Sequence, residues 1–175
     1  MNALFPLVYS LILFLVLCSI SVFLIKQVIN TQKTEKKIIF LQERININQF
    51  SYHDTYKLGQ LYLKKKLFNK AILLFRKSLD TWDSNDKIGL GSLYNTLGFT
   101  YFNLKQYEFA IYYYQIAIKI LPDYTLALKN LAYTYEKLTW YNKADKIYQK
   151  SLYLNPIDKV VLSRKQLLKR KLNLK

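Results

Sequence analysis

The sequence predicts an all-α protein. One N-terminal transmembrane helix is followed by a superhelix of three helix-turn-helix repeats, and a C-terminal capping helix closes it. Three observations carry this. A run of 22 residues from Leu4 to Ile25 holds no charge. Behind it, one apolar and small-residue pattern occurs three times. No stretch alternates with the period of two that a strand bounded by turn residues requires, and 175 residues contain only four glycines and three prolines.

The apolar run is the first element, residues 4–25. As a helix at about 1.5 Å per residue it reaches roughly 33 Å, enough to cross a hydrocarbon core of about 30 Å. Pro6 falls in the first turn, where its missing N–H costs nothing. A cleaved signal peptide would need a basic start, an apolar run of about 7–15 residues and a small-x-small site. Met1-Asn2-Ala3 has no basic side chain, and Val22-Phe23-Leu24-Ile25 offers no cleavage site. Leu17 before Cys18 argues against a lipoprotein. The segment is an uncleaved anchor. No positive charge precedes it, whereas Lys26, Lys33, Lys36, Lys37 and Arg44 follow closely, so the positive-inside rule puts the carboxyl side in the cytoplasm or its equivalent, a stroma or matrix. Residues 26–51 form a helical connector, polar and then mildly apolar (Ile38, Ile39, Phe40, Leu41), that would cover the open face of the first repeat. Shifting the repeat frame back by 34 puts Lys37 at a small-residue position, so the connector is not a further repeat.

The repeats come next. The first reads Leu58-Gly59-x-x-Tyr62, then Ala71, Phe75 and Ser78; the second Leu97-Gly98-x-x-Tyr101, Ala110, Tyr114, Ala117; the third Leu131-Ala132-x-x-Tyr135, Ala144, Tyr148, Ser151. Copies two and three are offset by 34 residues and copies one and two by 39. Gly59, Gly98 and Ala132 sit where the first helix of a pair approaches the second, and Ala71, Ala110 and Ala144 face them. Bulk on both sides would push the axes beyond the roughly 8–10 Å of packed helices. Tyr62, Tyr101 and Tyr135 wedge between neighbours; Phe75, Tyr114 and Tyr148 fill the layer to the next repeat; Phe68, Tyr107 and Tyr141 pack at the turns. Pro122 and Pro156 close the second and third copies. The first ends in Asp83 instead, and the inserted Asp86-Lys87-Ile88-Gly89-Leu90 is expected to loosen its junction with the second. This code resembles the tetratricopeptide repeat (TPR), giving units at 52–85, 91–124 and 125–158. Residues 157–172 are the last element, an amphipathic helix. Its apolar positions are Val160, Val161, Leu167, Leu168 and Leu172, and its outer face is strongly basic. Repeat arrays need such a polar-backed cap.

A net charge of +16 would ordinarily raise nucleic acid as a partner. Only 4 of the 27 basic residues are arginine, the residue that reads bases bidentately, so nucleic acid is disfavoured. Abundant Lys, Asn, Ile, Tyr and Phe with scarce Gly, Ala and Arg is what an A+T-rich coding sequence produces. Lysine near a membrane still gains about 1 kcal/mol from anionic head groups. Catalysis has little to stand on: there is one histidine, His53, and one cysteine, Cys18, which lies in the anchor. No Cys/His pattern has metal spacing and no Gly-rich phosphate loop follows a strand. The chain is not expected to be an enzyme, and no cofactor or metal is assigned.

In TPR proteins positions 2, 5, 6, 9, 12 and 13 of each first helix form a concave, partner-holding surface. Counting from Tyr52, Gly91 and Thr125, the resemblance implies a groove built around Tyr56, Gln60, Asn95, Phe99, Phe102, Lys129, Asn130 and Tyr133. The aromatics would make its floor, and the amides with Lys129 would bind an extended backbone or a carboxylate. The carboxylate clamp of chaperone-binding TPRs is missing, since its positions hold Tyr56, Gln60, Thr96, Leu126 and Asn130. The full layout of one uncleaved span, three TPRs and a basic C-terminal helix resembles the membrane-anchored photosystem I assembly proteins of cyanobacteria and red-algal plastids. That resemblance implies a single-pass thylakoid protein with its repeats in the stroma. Its partners would be photosystem I subunits or assembly factors, and it would carry no cofactor of its own. An anchored TPR subunit of an export, import or quality-control complex, or a basic helical-repeat RNA binder, are the other readings of the same layout.

Overall fold

The computed structural model describes residues 4–47 and 51–173, which fall in two compact units, Met1–Asn48 and Gln49–Lys175. Every secondary-structure element among the described residues is a helix, with no strand among them.

The first unit is a single helix, α1 (Leu4–Asn46), of 43 residues. Its backbone runs without a break through residue 25, so the apolar segment and the polar stretch after it are one rod. Residues 48–50, at the end of the expected connector, lie outside the described residues. The side chains from Leu7 to Lys33 are exposed, and an 18-residue window reaches a mean hydropathy of 2.8. By length and composition α1 can cross a membrane. At about 1.5 Å per residue it extends roughly 65 Å, about twice the hydrocarbon thickness.

The second unit is a three-repeat TPR superhelix. Its pairs are α2 (Tyr52–Lys64) with α3 (Phe68–Asp80), α4 (Lys87–Asn103) with α5 (Tyr107–Ile120), and α6 (Thr125–Lys137) with α7 (Tyr141–Leu154). A seventh helix of this unit, α8 (Lys159–Asn173), packs on α7. The three turns inside the pairs are built alike. Lys66, Lys105 and Thr139 each adopt φ near 60°, and each N–H reaches back three residues, to Leu63, Phe102 and Glu136. The following N–H groups of Leu67, Gln106 and Trp140 reach back five, to Tyr62, Tyr101 and Tyr135. This is the Schellman ending, which satisfies the last carbonyls of the first helix and turns the chain into the second. It occurs here without glycine.

Close approach inside each pair follows the small residues. A Cβ on Gly59 would sit 2.6 Å from the Phe75 ring, and one on Gly98 would sit 2.6 Å from Tyr114 and 3.1 Å from the Ala110 carbonyl oxygen. Phe75 and Tyr114 therefore fill the space within their own repeat, opposite its glycine, rather than only the layer to the next one. A recurrent hydrogen bond ties successive repeats. Arg76 on α3 donates to the Tyr101 hydroxyl of α4 (3.0 Å), and the equivalent Gln115 on α5 donates to the Tyr135 hydroxyl of α6 (3.2 Å).

Two expectations are corrected. The inserted residues between the first two repeats are ordered into α4 and its cap and do not form a slack loop. Asp86 accepts from the Gly89 N–H (2.8 Å) and caps α4, so the helix begins at Lys87, four residues before the expected start of the second unit. Trp82 donates its Nε1–H to the same carboxylate (3.1 Å) and its ring packs against Tyr52, His53 and Tyr56. The capping helix, in turn, buries only half of its expected apolar stripe. Val161 and Leu168 are fully buried, whereas Val160 and Leu167 are exposed. The third leucine, Leu172, has a side chain outside the described residues. Where the first helices carry Leu-Gly/Ala-x-x-Tyr to receive their partners, α8 carries Lys165-Gln166-x-x-Lys169.

Candidate peptide-binding groove

The first helices of the pairs line the concave side of the second unit. A hollow of about 480 Å³ lies between α2, α4 and α6, walled by Gln60, Leu63 and Lys64, by Asn95, Thr96 and Phe99, and by Leu126 and Asn130. All eight occupy positions that the repeat frame assigns to the concave surface. A second hollow of about 280 Å³ shares Leu126 and Asn130 and continues towards α8 through Lys129, Tyr133, Tyr148, Val160, Val161 and Arg164. Sharing Leu126 and Asn130, the two hollows adjoin along α6.

The eight candidate residues divide by environment. Gln60 and Phe99 are exposed in the first hollow, and Phe99, 44% exposed, is its open aromatic. Asn130 lines both hollows. Its Nδ2 donates to Asn95 Oδ1 (3.0 Å), while Asn95 Nδ2 reaches the Tyr124 hydroxyl (3.5 Å). Asn95 is largely buried and its amide, bonded to Asn130 and Tyr124, braces α4 against α6. Tyr56 is half-buried, with its ring 5.7 Å from Phe75 and 5.5 Å, edge-on, from Trp82; its hydroxyl lies 3.4 Å from Thr96 Oγ1. Phe102 packs between Tyr107 and Tyr133, at 5.5 and 5.4 Å, and walls neither hollow. The four-ring floor expected from position counting is therefore not formed. Two of its rings, Phe99 and Tyr133, line the hollows.

The α6–α8 end is electrostatically occupied. Lys129 Nζ pairs with Asp158 Oδ2 at 2.9 Å, and Asp158 Oδ1 accepts from the N–H groups of Val160 and Val161 at 3.0 and 3.2 Å. The Lys129 hydrogen bond, helped by the Val161 N–H, holds the Asp158 carboxyl below the usual carboxylate range. Arg164 lies over the Tyr133 ring at 4.5 Å and 3.8 Å from Glu136. The Tyr148 hydroxyl donates to the other Glu136 oxygen, and burial first, then this bond, pushes the Tyr148 pKa up. Val160, Arg164 and Tyr148 were not among the candidates. Continuing the 34-residue frame from Leu126 and Asn130 lands on Val160 and Arg164, so the signal was present in the sequence. What remains is a binding geometry: an apolar slot with amides, bounded by cations.

Comparison with known proteins fits this architecture. Tetratricopeptide repeat family models match residues 92–124, and 56–81 with 127–158. The ycf37 protein of Guillardia theta is 38% identical over 168 residues, covering 96% of this chain and 94% of that one. The Arabidopsis thaliana "Tetratricopeptide repeat domain-containing protein PYG7, chloroplastic" is 27% identical over 152 residues, which is 87% of this chain and half of that protein. Among solved structures, MamA superposes with a TM-score of 0.74 at 21% identity over 83% of this chain and 82% of its own. The first TPR of Spaghetti (RPAP3), bound to HSP90 peptide SRMEEVD, superposes with 0.63 at 21% identity over 70% of this chain and 94% of its own. Across nearly its whole length, this chain belongs to the ycf37 family of plastid tetratricopeptide-repeat proteins.

Proposed function

We propose that this protein is a membrane-anchored scaffold that holds a segment of a partner protein in its concave groove and assists photosystem I assembly or persistence at the stromal face of the thylakoid. The observation that carries the reading is the groove: a continuous hollow across α2, α4 and α6 whose walls are the positions that TPR folds use for partners. Plastid relatives and an N-terminal helix able to cross a membrane support the location. The RPAP3 domain supports the mode, since that neighbour carries a peptide. At the clamp positions this chain has neutral Gln60, Thr96, Leu126 and Asn130, so it selects a different segment.

The test is Phe99→Ala in the full chain. Phe99 is the exposed ring of the groove, and buried aromatic anchors commonly contribute about 2 kcal/mol or more to binding, roughly thirtyfold in affinity. Helicity and membrane attachment should be retained, while capture of photosystem I subunits from mild-detergent membranes and photosystem I accumulation fall and photosystem II is spared. Unchanged capture and accumulation would remove the groove as the working surface. Phe102→Ala is a poorer probe because that ring supports Tyr107 and Tyr133. For orientation, protease added outside sealed thylakoids should degrade the chain from about residue 26 onward; it is protected if the stromal placement is wrong.

A further inference from the structure

The groove is charged unevenly. On α4 the concave positions are Ser92, Asn95, Thr96, Phe99, Phe102 and Asn103, all neutral. At the α6–α8 end two cations already have carboxylates, Lys129 with Asp158 and Arg164 with Glu136, and Lys137 lies over the Tyr133 ring at 5.2 Å. The α2 edge differs. Lys57, Gln60 and Lys64 follow one another at spacings of three and four residues, which places them on one face of the helix, and all three are exposed. Among the described residues no carboxylate forms an ion pair with Lys57 or Lys64. The acid on the same helix, Asp54, is buried and accepts from the Ser51 N–H (3.2 Å).

From this asymmetry we infer that the groove takes an internal acidic segment of its partner, carboxylates towards Lys57 and Lys64 on α2 and an apolar side chain in the slot formed by Leu63, Phe99 and Leu126. The inference rests on the groove being the partner site. It adds the chemistry and direction of the occupant. A carboxyl terminus is not required, because the positions that would clamp a terminal carboxylate are neutral. The two contributions act on different rates. Exposed lysines pair weakly, but they steer an acidic segment and raise its association rate in a salt-dependent way. Burying the apolar side chain removes surface from water and slows dissociation.

The experiment uses the full chain in nanodiscs of uncharged lipid and two amidated peptides, a Leu-Phe pair set between glutamate runs and the same peptide with glutamines. The glutamate peptide should bind about tenfold more tightly, a difference that salt erases. Lys57→Gln with Lys64→Gln should slow its association roughly fivefold and leave dissociation unchanged. Phe99→Ala should speed dissociation of both peptides, and Lys169→Gln, on the exposed face of α8, should do nothing. Lys and Gln have similar helix propensities, so the double variant keeps α2 intact. Equal binding of the two peptides, or a Lys169→Gln effect matching the double variant, overturns the inference. So does binding of vesicles containing anionic lipid through the same two lysines with no preference between peptides, which makes α2 a membrane contact. If the glutamate peptide fails to bind while Phe99→Ala still releases a native partner from membranes, the groove stands and its acidic selectivity falls. If Phe99→Ala also releases nothing, both fall.

Discussion

Gly98 shows how little room the fold leaves between paired helices. The Tyr114 ring that its Cβ would strike is buried, so the ring cannot simply swing into solvent. The third repeat holds alanine at the same place, Ala132 before Tyr148, so one methyl can be accommodated there. Gly98→Ala should accordingly be mild, since relief of glycine's helix penalty, about 1 kcal/mol, offsets much of the crowding. Gly98→Leu should overpack the contact and destabilise the repeat unit by about 1–3 kcal/mol. Thermal and denaturant unfolding measure both; a Leu variant as stable as the parent would mean that Gly98 does not face Tyr114. Thr139 is unusual for a different reason. It holds φ near 60° with a branched Cβ, at a turn where glycine is commoner. The two backbone bonds of the Schellman ending are what keep it there.

Among the elements, α8 is held by charge as well as by a small apolar contact. Asp158 caps its first turn and grips Lys129 at the same time, Lys165 reaches Asp145 at 3.9 Å, and only Val161 and Leu168 are fully buried among its described side chains. The folded pKa of Asp158 is lowered, so its contribution is complete above the ordinary carboxylate range, about pH 4, and is lost as pH falls through the lower folded value. Amide exchange, corrected for intrinsic rates, should therefore show α8 keeping its protection from neutral pH down to about pH 4 and losing it below. Asp158→Asn keeps a competent cap but lacks the charge for Lys129. It should lower protection already at neutral pH and flatten the acid response; an unaltered pH profile in the variant would exclude Asp158 as the group responsible. The repeat code was legible in the sequence because close contact admits only small residues at Gly59, Gly98, Ala71 and Ala110, and such a demand recurs visibly. The groove was legible only as a set of positions. Counting places Tyr56 and Phe102 on the concave side, but a long ring can lean along the helix towards Trp82 or Tyr107, and no spacing rule specifies that. Asp83-Ser84-Asn85 resembles a plain loop, which hid the capping role of Asp86 and the docking of Trp82.

On the scale of the whole molecule, the net charge of +16 is distributed with purpose in one respect. A stack of helix pairs is a polymer in miniature: each unit presents the surface that received its predecessor, and nothing in the geometry says when to stop. A head-to-tail contact that does not close generates filaments. We propose that helix α8 ends this growth chemically. It occupies the place of a fourth first helix, yet offers Lys165, Gln166 and Lys169 where an incoming second helix needs leucine, a small residue and tyrosine. Gln166 and Lys169 are exposed, so hydrated side chains stand where the next unit would have to dock. Restoring the code with Lys165→Leu, Gln166→Gly and Lys169→Tyr should reactivate the end. Light scattering should then show concentration-dependent self-association exceeding that of the parent chain. The cap is in this sense a terminator of chain growth, and the length of the array is set by three side chains as much as by where the repeats run out.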